Sequence, residues 1–434
     1  MAYESTNTGL DLFSVPPVQT SVEQGTWVES HPLATLTDNS PIEFNIVGNS
    51  DDYLDLTNTF LHIQCKVTKP NGENLTDEDV AVAPENLFLH SLFSEVDVSL
   101  NGVLISTSTN TYPYRAYIET LLNYDKETKD TQMALPMYYE DNQFPFSKDN
   151  HARGLEARRL RIKGSKTVDM VGRIHADIFS QEKYLLNKVD LRLRFIRSRD
   201  SFCLLAVPLK DGEPTPHYKV KIQHASLFVR KAKINPSIVL AHAKALQKAT
   251  CKYPVKRVVT KVFSVPQGNH NCVQDNLFVN QRPNKLVIVL VDSRAFNGHY
   301  ESSPFEFKHY NINNLALYAD AQQIPAKAFK PDFENEIYAR AYHSIFTCSG
   351  SAWRNTSNAI KYKEYRKGFT IFCFDLSPSL TDGDIVEPLK TGSIRLEIGF
   401  GEPLPNPVHI LTYGQFDGIL EIDESRQVLT DFTT

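Results

Sequence analysis

Residues 91–122 read SLFSEVDVSLNGVLISTSTNTYPYRAYIETLL. Val96, Val98 and Leu100 point one way and Glu95, Asp97 and Ser99 the other, which is the alternation of a half-buried strand. Asn101-Gly102 supplies two residues that tolerate positive φ, so the chain turns back as a hairpin into Val103, Leu104 and Ile105. A helix follows, with Thr111 at the N-cap and Pro113 in the first turn. Tyr114, Tyr117, Ile118 and Leu121 recur along it at helical spacing.

A weaker copy of this unit lies further on. Residues 314–320 (NLALYAD) alternate again and are followed by 336–346 (EIYARAYHSIF), where Arg340-Ala341-Tyr342 echoes Arg115-Ala116-Tyr117. Alternating runs surround both units. They include Ile42, Phe44 and Ile46; Leu61, Ile63, Cys65 and Val67; residues 173–178; residues 188–195; residues 219–231; and, later, 258–263, 286–291, 369–374, 394–400 and 408–422.

Set side by side, the halves match in order. Residues 58–67 answer to 284–293, 95–102 to 314–321, 172–179 to 368–375, and 189–195 to 394–400. Val189, Leu191, Leu193 and Phe195 stand against Ile394, Leu396, Ile398 and Phe400. A period of this size is a domain duplication, not a solenoid repeat. Helices are too few for a parallel α/β sheet. The expected fold is all-β: two tandem antiparallel eight-stranded jelly rolls, a double jelly roll, each carrying a short helix insertion. The expected divisions are an N-terminal arm over 1–25, a first jelly roll over 26–232, a linker helix over 233–252 and a second jelly roll over 253–434. The linker helix is capped by Asn235-Pro236, turns one face through Val239, Ala243 and Leu246, and is stopped by Tyr253-Pro254.

Bulk properties fit this reading. At 434 residues the chain is long for one core. With 41% hydrophobic and 22% charged residues it is neither low-complexity nor collagen-like. A net charge of −5 excludes a surface that grips nucleic acid all round, though not a local basic patch. The 25 Phe, 19 Tyr and 24 Pro suit short strands joined by irregular loops. No secretory signal is read at the start, and no apolar run reaches the ~18 residues of a membrane span. The six cysteines show no paired spacing, so reduced thiols in an intracellular compartment are expected.

Several motifs are long enough to carry a resemblance. DLFSVPP (11–17), LFSEVDVSLNG (92–102), YPYRAYIETLL (112–122), DIFSQEKYLLN (177–187) and the stretch from Ala245-Leu246 to Tyr253-Pro254 resemble the hexon-like major capsid proteins of Maverick/Polinton elements and the related adintoviruses. The resemblance covers nearly the whole chain. It implies a double jelly-roll capsid protein whose homotrimers form pseudo-hexagonal capsomers. These would tile an icosahedral virion shell around double-stranded DNA, with neighbouring capsomers, penton and minor capsid proteins as partners.

Chemistry-bearing patterns are sparse. There is no nucleophile elbow, Walker A loop, dinucleotide fingerprint or zinc-protease helix, so no catalytic residue, cofactor or metal is assigned and an enzyme is not expected. Residues 348–351 (CSGS) are read as a loop after a helix. His270-Asn271-Cys272 is too small a set for a metal, and Asp382-Gly383-Asp384 is read as a turn. The basic run from 151 to 166, with Arg153, Arg158, Arg159 and Arg161, is the one candidate contact. It is either a solvated loop or a surface for a neighbouring capsomer or packaged DNA. Phe13 and Val15 make the arm more apolar than a free tail needs, which points to docking. The alternative function is a carbohydrate-binding or carbohydrate-cleaving tandem β-sandwich, which needs an exposed aromatic platform or a carboxylate pair in a cleft.

Overall fold

The hairpin at the centre of that reading forms. Phe93–Leu100 pairs antiparallel with Val103–Leu104, and Asn101 and Gly102 both take left-handed backbone (φ 47° and 81°). In the computed structural model the described residues are 12, 15, 18–38, 40–48, 51–76, 82–107, 109–141, 153–208, 214–279, 281–378, 386–388 and 390–430.

Among them, the first half supplies strands β1 (Val22–Ser30), β2 (Ile42–Ile46), β3 (Tyr53–Thr68), β4 (Phe93–Leu100), β5 (Val103–Leu104), β6 (Val168–Arg173), β7 (Leu191–Arg197) and β8 (Lys219–Ile234). They form two four-stranded sheets, β1-β8-β3-β6 and β2-β7-β4-β5, with every pairing antiparallel. The second half supplies β9 (Cys251–Val265), β10 (Asn271–Gln274), β11 (Lys285–Asp292), β12 (Ile312–Ala319), β13 (Gln322–Phe329), β14 (Phe372–Asp375), β15 (Ile394–Phe400) and β16 (Val408–Ile422). Their sheets run β9-β16-β11-β14 and β10-β15-β12-β13, so each strand takes the place of the one eight positions earlier. Neighbours far apart in sequence, such as β1 and β8, make each half a jelly roll and not a meander. A short strand, Val428–Thr430, extends the last sheet beside β16.

The helices follow the same duplication. α1 (Tyr112–Asn123) lies between β5 and β6, and α4 (Ala339–Cys348) lies between β13 and β14. α2 (Arg153–Ile162) belongs to the first half alone, and α3 (Pro236–Leu246) joins the halves. Asn235 caps α3 by accepting from the Ser237 amide at 3.0 Å. Alternation explains the cores: Leu61, Ile63, Cys65 and Val67 of β3 face Val96, Val98 and Leu100 of β4 across the first sandwich, each at most 6% exposed. β11 is buried on both faces from Leu286 to Val291.

Four local expectations differ. The strand expected over 173–178 ends at Arg173. Beyond it Ile174, Ala176 and Ile178 are still buried, but Asp177 is held away from the sheet by Arg115 and by the Val258 amide. Tyr253-Pro254 lies inside β9 and does not end α3. The first strand starts at Val22, inside the stretch assigned to the arm. The insertion after α1 contains a ten-residue helix, α2, where a loop was read.

Candidate assembly surfaces

The two sandwiches meet along a seam built mainly by α1. Its apolar side leaves the first core and enters the second. The Tyr117 ring stacks on Phe305 at 4.2 Å and lies edge-on to Phe307 at 5.8 Å, while Tyr114 stacks on Phe296 at 5.5 Å. Beside the rings runs a chain of buried polar groups. Arg115 Nε donates to Glu119 Oε1 at 2.9 Å, Arg115 Nη1 reaches Asp177 at 2.8 Å, and His175 Nδ1 is 2.6 Å from Glu119 Oε2. From the second sandwich, Tyr413 donates its hydroxyl hydrogen to Glu119 at 3.3 Å and the Val258 amide donates to Asp177 at 3.2 Å.

Burial alone would raise the Glu119 carboxyl, but Arg115 and His175 overcome it and hold it well below the usual carboxylate range. Burial pushes Asp177 up against the pull of Arg115, and pushes His175 down against the pull of Glu119. Further along, Thr111 and Thr109 bond Thr260, and Tyr253 accepts from the Leu186 amide at 2.9 Å and donates to Tyr184 O at 3.1 Å. Near the other end Arg426 bonds Asn187 O at 2.9 Å. These groups are satisfied only when the sandwiches sit in one relative position, so the seam fixes an angle as well as a contact.

The basic run resolves into two classes of residue. Arg158 is fully buried. Its Nη1 contacts both oxygens of Asp141 at 3.1 and 3.0 Å, and its Nε donates to Pro84 O at 2.8 Å. A Cβ at Gly154 would stand 2.5 Å from Asp141 Oδ1, so the glycine admits the start of α2 against this pair. Glu85 lies beside them, its carboxyl pushed up by burial to about 7 against the pull of Arg158. The expectation that Arg158 faces solvent or a partner is therefore corrected: it is a core cation. Arg159 turns back onto Glu156 at 2.7 and 2.5 Å, while Arg153 and Arg161 are exposed. The signal was in the sequence, because Gly154, Arg158 and Ile162 recur every four residues and are the three buried positions of α2.

Of the arm, Phe13 lies outside the described residues, as do residues 382–384. Val15 is 79% exposed, with Leu12 and Val18 similarly bare. Of the closely spaced Asp51, Asp52 and Asp55, Asp55 is buried with Arg230 at 3.3 Å, whereas Asp51 faces Lys188 at 3.9 Å near the surface. Of residues 348–351, Cys348 is the buried last residue of α4 and the rest follow it as a turn, with Ser349 bonded to Ser351. Among the described residues no three His, Cys, Asp or Glu side chains converge as a metal set, and no helix is long and apolar enough to cross a membrane.

No family model matches the chain. An uncharacterised protein of Caenorhabditis elegans is 25% identical over 429 residues, covering 96% of this chain and 99% of the worm protein. Among solved structures, a chain of the Sputnik virophage superposes with a TM-score of 0.67 at 13% identity, over 100% of this chain and 93% of its own. The mavirus major capsid protein gives 0.57 at 11% identity, over 100% and 96%. The Faustovirus major capsid protein gives 0.56 at 10%, over 96% and 93%. The likeness runs through both sandwiches, and the chain has the double jelly-roll fold of those capsid proteins.

Proposed function

We propose that this chain is a structural major capsid protein that works by shape and burial and not by catalysis. Three copies close into a pseudo-hexagonal capsomer, and capsomers tile an icosahedral shell around double-stranded DNA. The observation that carries this reading is the pair of complete jelly rolls with the same strand order, locked side by side by one polar and aromatic seam. A threefold ring of such pairs presents six similar blocks, which is the geometry a near-hexagonal tile needs. The motifs at 92–102, 112–122 and 177–187 support a narrower assignment to Maverick/Polinton elements, and a nematode relative of matching length supports a gene carried in animal genomes. The partners are then other copies of the chain, neighbouring capsomers, penton and minor capsid proteins, and its location is the virion.

Purified protein is expected to sediment as a trimer and to show six-lobed particles in negative stain. A stable monomer at micromolar concentration overturns the reading. With Arg158 inside, the contact for a neighbouring capsomer or packaged DNA falls to Arg153, Arg159 and Arg161. Reversing charge at Arg153 and Arg161 is expected to leave the melting temperature unchanged while lowering the DNA content or yield of assembled particles; unchanged particles would assign α2 to solvent.

The glycan reading has one observation in its favour. Trp27, Phe60 and Phe228 form an aromatic row on the outer face of the β1-β8-β3 sheet, with centroids 5.3 and 4.9 Å apart. Retention of the protein on a glycan array, abolished by Trp27→Ala, would support it.

A further inference from the structure

We propose that the seam within one chain is the template for the contact between chains: α4 and the Trp353 loop of one copy cover β1 and Trp27 of the next. The inference rests on the capsid reading above and names the surfaces that would close its trimer.

The argument is the duplication itself. Within the chain, the helix between the fifth and sixth strands of the first sandwich, α1, covers the second sandwich. Eight of its twelve residues are buried. The matching first strand of the second sandwich, β9, is covered in turn, with Tyr253, Val255, Val258 and Thr260 all at most 5% exposed. Thr109, Thr111, Asp177 and Leu186 of the first sandwich touch that strand.

The counterparts of these two elements are more open, β1 along its length and α4 on one face. β1 holds the same place in its sheet as β9, yet every residue between its two ends is exposed, on both faces. Edge strands are ordinarily shortened, charged or covered; this one is nine residues long and carries Trp27 at 51% exposure beside Val28 at 38%. α4 holds the place of α1 and repeats its Arg-Ala-Tyr, yet only four of its ten residues are buried. Arg340 and Thr347 are exposed on one face with the half-buried His343 between them, Arg340 bonded back to the carbonyls of Lys327 and Ala328, and Ile337 is 64% exposed just before the helix. On that face Trp353 packs its ring against His343 at 5.5 Å and is otherwise 93% exposed, its backbone in the left-handed region (φ 59°) that a bulky residue rarely adopts.

These are the chain's only two tryptophans, and both lie on the surfaces that duplication leaves without a neighbour. A second copy is the occupant that fits, because it brings the complementary element to each. The α4 side of one chain meets the β1 side of the next as the α1 side meets the β9 side within a chain. Such a contact is heterologous: it does not pair two chains face to face, and it makes a ring when its rotation closes, as three copies at 120° do. Tryptophan is enriched among the residues that carry the binding energy of interfaces.

The test uses the full chain and sedimentation, with circular dichroism and thermal melting as controls for folding. Trp27→Glu and Trp353→Glu are each expected to fold and to weaken the trimer at least tenfold, while Trp27→Phe and Trp353→Phe keep it. Mixing the two Glu variants is the sharper measurement. Each retains one intact surface, so the mixture is expected to form 1:1 heterodimers and nothing larger. A trimeric wild type whose Glu variants remain trimers at the same concentration, or whose mixture gives no heterodimer, overturns the inference and leaves the capsid reading standing. Glycan retention through Trp27 in a variant with unchanged sedimentation also overturns it. A monomeric wild type overturns both.

Discussion

Replacing Arg158 by alanine is expected to destabilise the protein by about 3–5 kcal/mol, because it strands a buried carboxylate without its counter-charge. Asp141 is itself fully buried, and without Arg158 its remaining side-chain partner is Asn86 Nδ2 at 3.0 Å. Pro84 O loses a donor as well. The denaturation midpoint should fall accordingly, while Arg159→Ala, which breaks only a surface pair with Glu156, should stay within about 0.5 kcal/mol of wild type. Substituting Arg158→Met and Asp141→Leu together should recover most of the loss, since a packed apolar pair needs no compensating charge. The pH course gives a second check. Glu85 is pushed up to about 7 and Asp141 is raised too, by burial. A raised carboxyl contributes stability that is present below its unfolded value, near pH 4.5 for Glu85, and is lost as pH rises towards 7. Removing Arg158 takes away the chief force holding Glu85 and Asp141 down. The gap between variant and wild type should therefore be widest above pH 7 and narrow on acidification towards pH 5. A gap independent of pH would mean that the cost is lost packing and not stranded charge.

That a core cation was placed at the surface shows where the sequence is legible and where it is not. Alternation works wherever one face of a strand is buried inside the chain itself. Val96, Val98 and Leu100, or Ile394, Leu396, Ile398 and Phe400, announce their strands, and the match between halves then orders the sheets. β1 (VEQGTWVES) announces nothing, because neither of its faces is buried in a single chain and no pattern is imposed on it. β13 is hidden for a related reason: QQIPAKAF is mostly half-exposed or exposed, and its proline interrupts the pattern. Arg158 was hidden differently. Its partner Asp141 lies 17 residues away and nothing local pairs them, so only the four-residue spacing of Gly154, Arg158 and Ile162 marks its face. Residues 174–178 mislead in the opposite sense: they alternate and are buried, yet they serve the seam and not a sheet. Much of what was misread thus lies at contacts between blocks, whose partners periodicity within one segment does not register.

The second large effect belongs to that seam. Tyr117→Ala is expected to cost about 3–5 kcal/mol, the usual loss for an aromatic ring removed from a packed core. The ring is fully buried and stacks on Phe305 across the boundary between sandwiches. Its hydroxyl, by contrast, finds no hydrogen-bond partner among the described residues. Tyr117→Phe should accordingly be neutral or slightly stabilising, since it removes a buried polar group that bonds nothing. The consequence for cooperativity is more specific than the loss of stability. Wild-type protein should unfold in one calorimetric transition, because α1 is shared by both cores and neither sandwich can open without exposing it. With the ring gone, the Arg115–Glu119–Asp177 chain becomes the main tie, and two resolved transitions are expected. A single transition merely shifted downward would mean that Tyr117 stabilises one sandwich and does not couple two. The distinction matters for assembly. Three chains can close as six evenly spaced blocks only if the angle between the blocks of each chain is fixed before the chains meet, and a hinge at Tyr117 would make ring closure carry the entropy that the seam now removes.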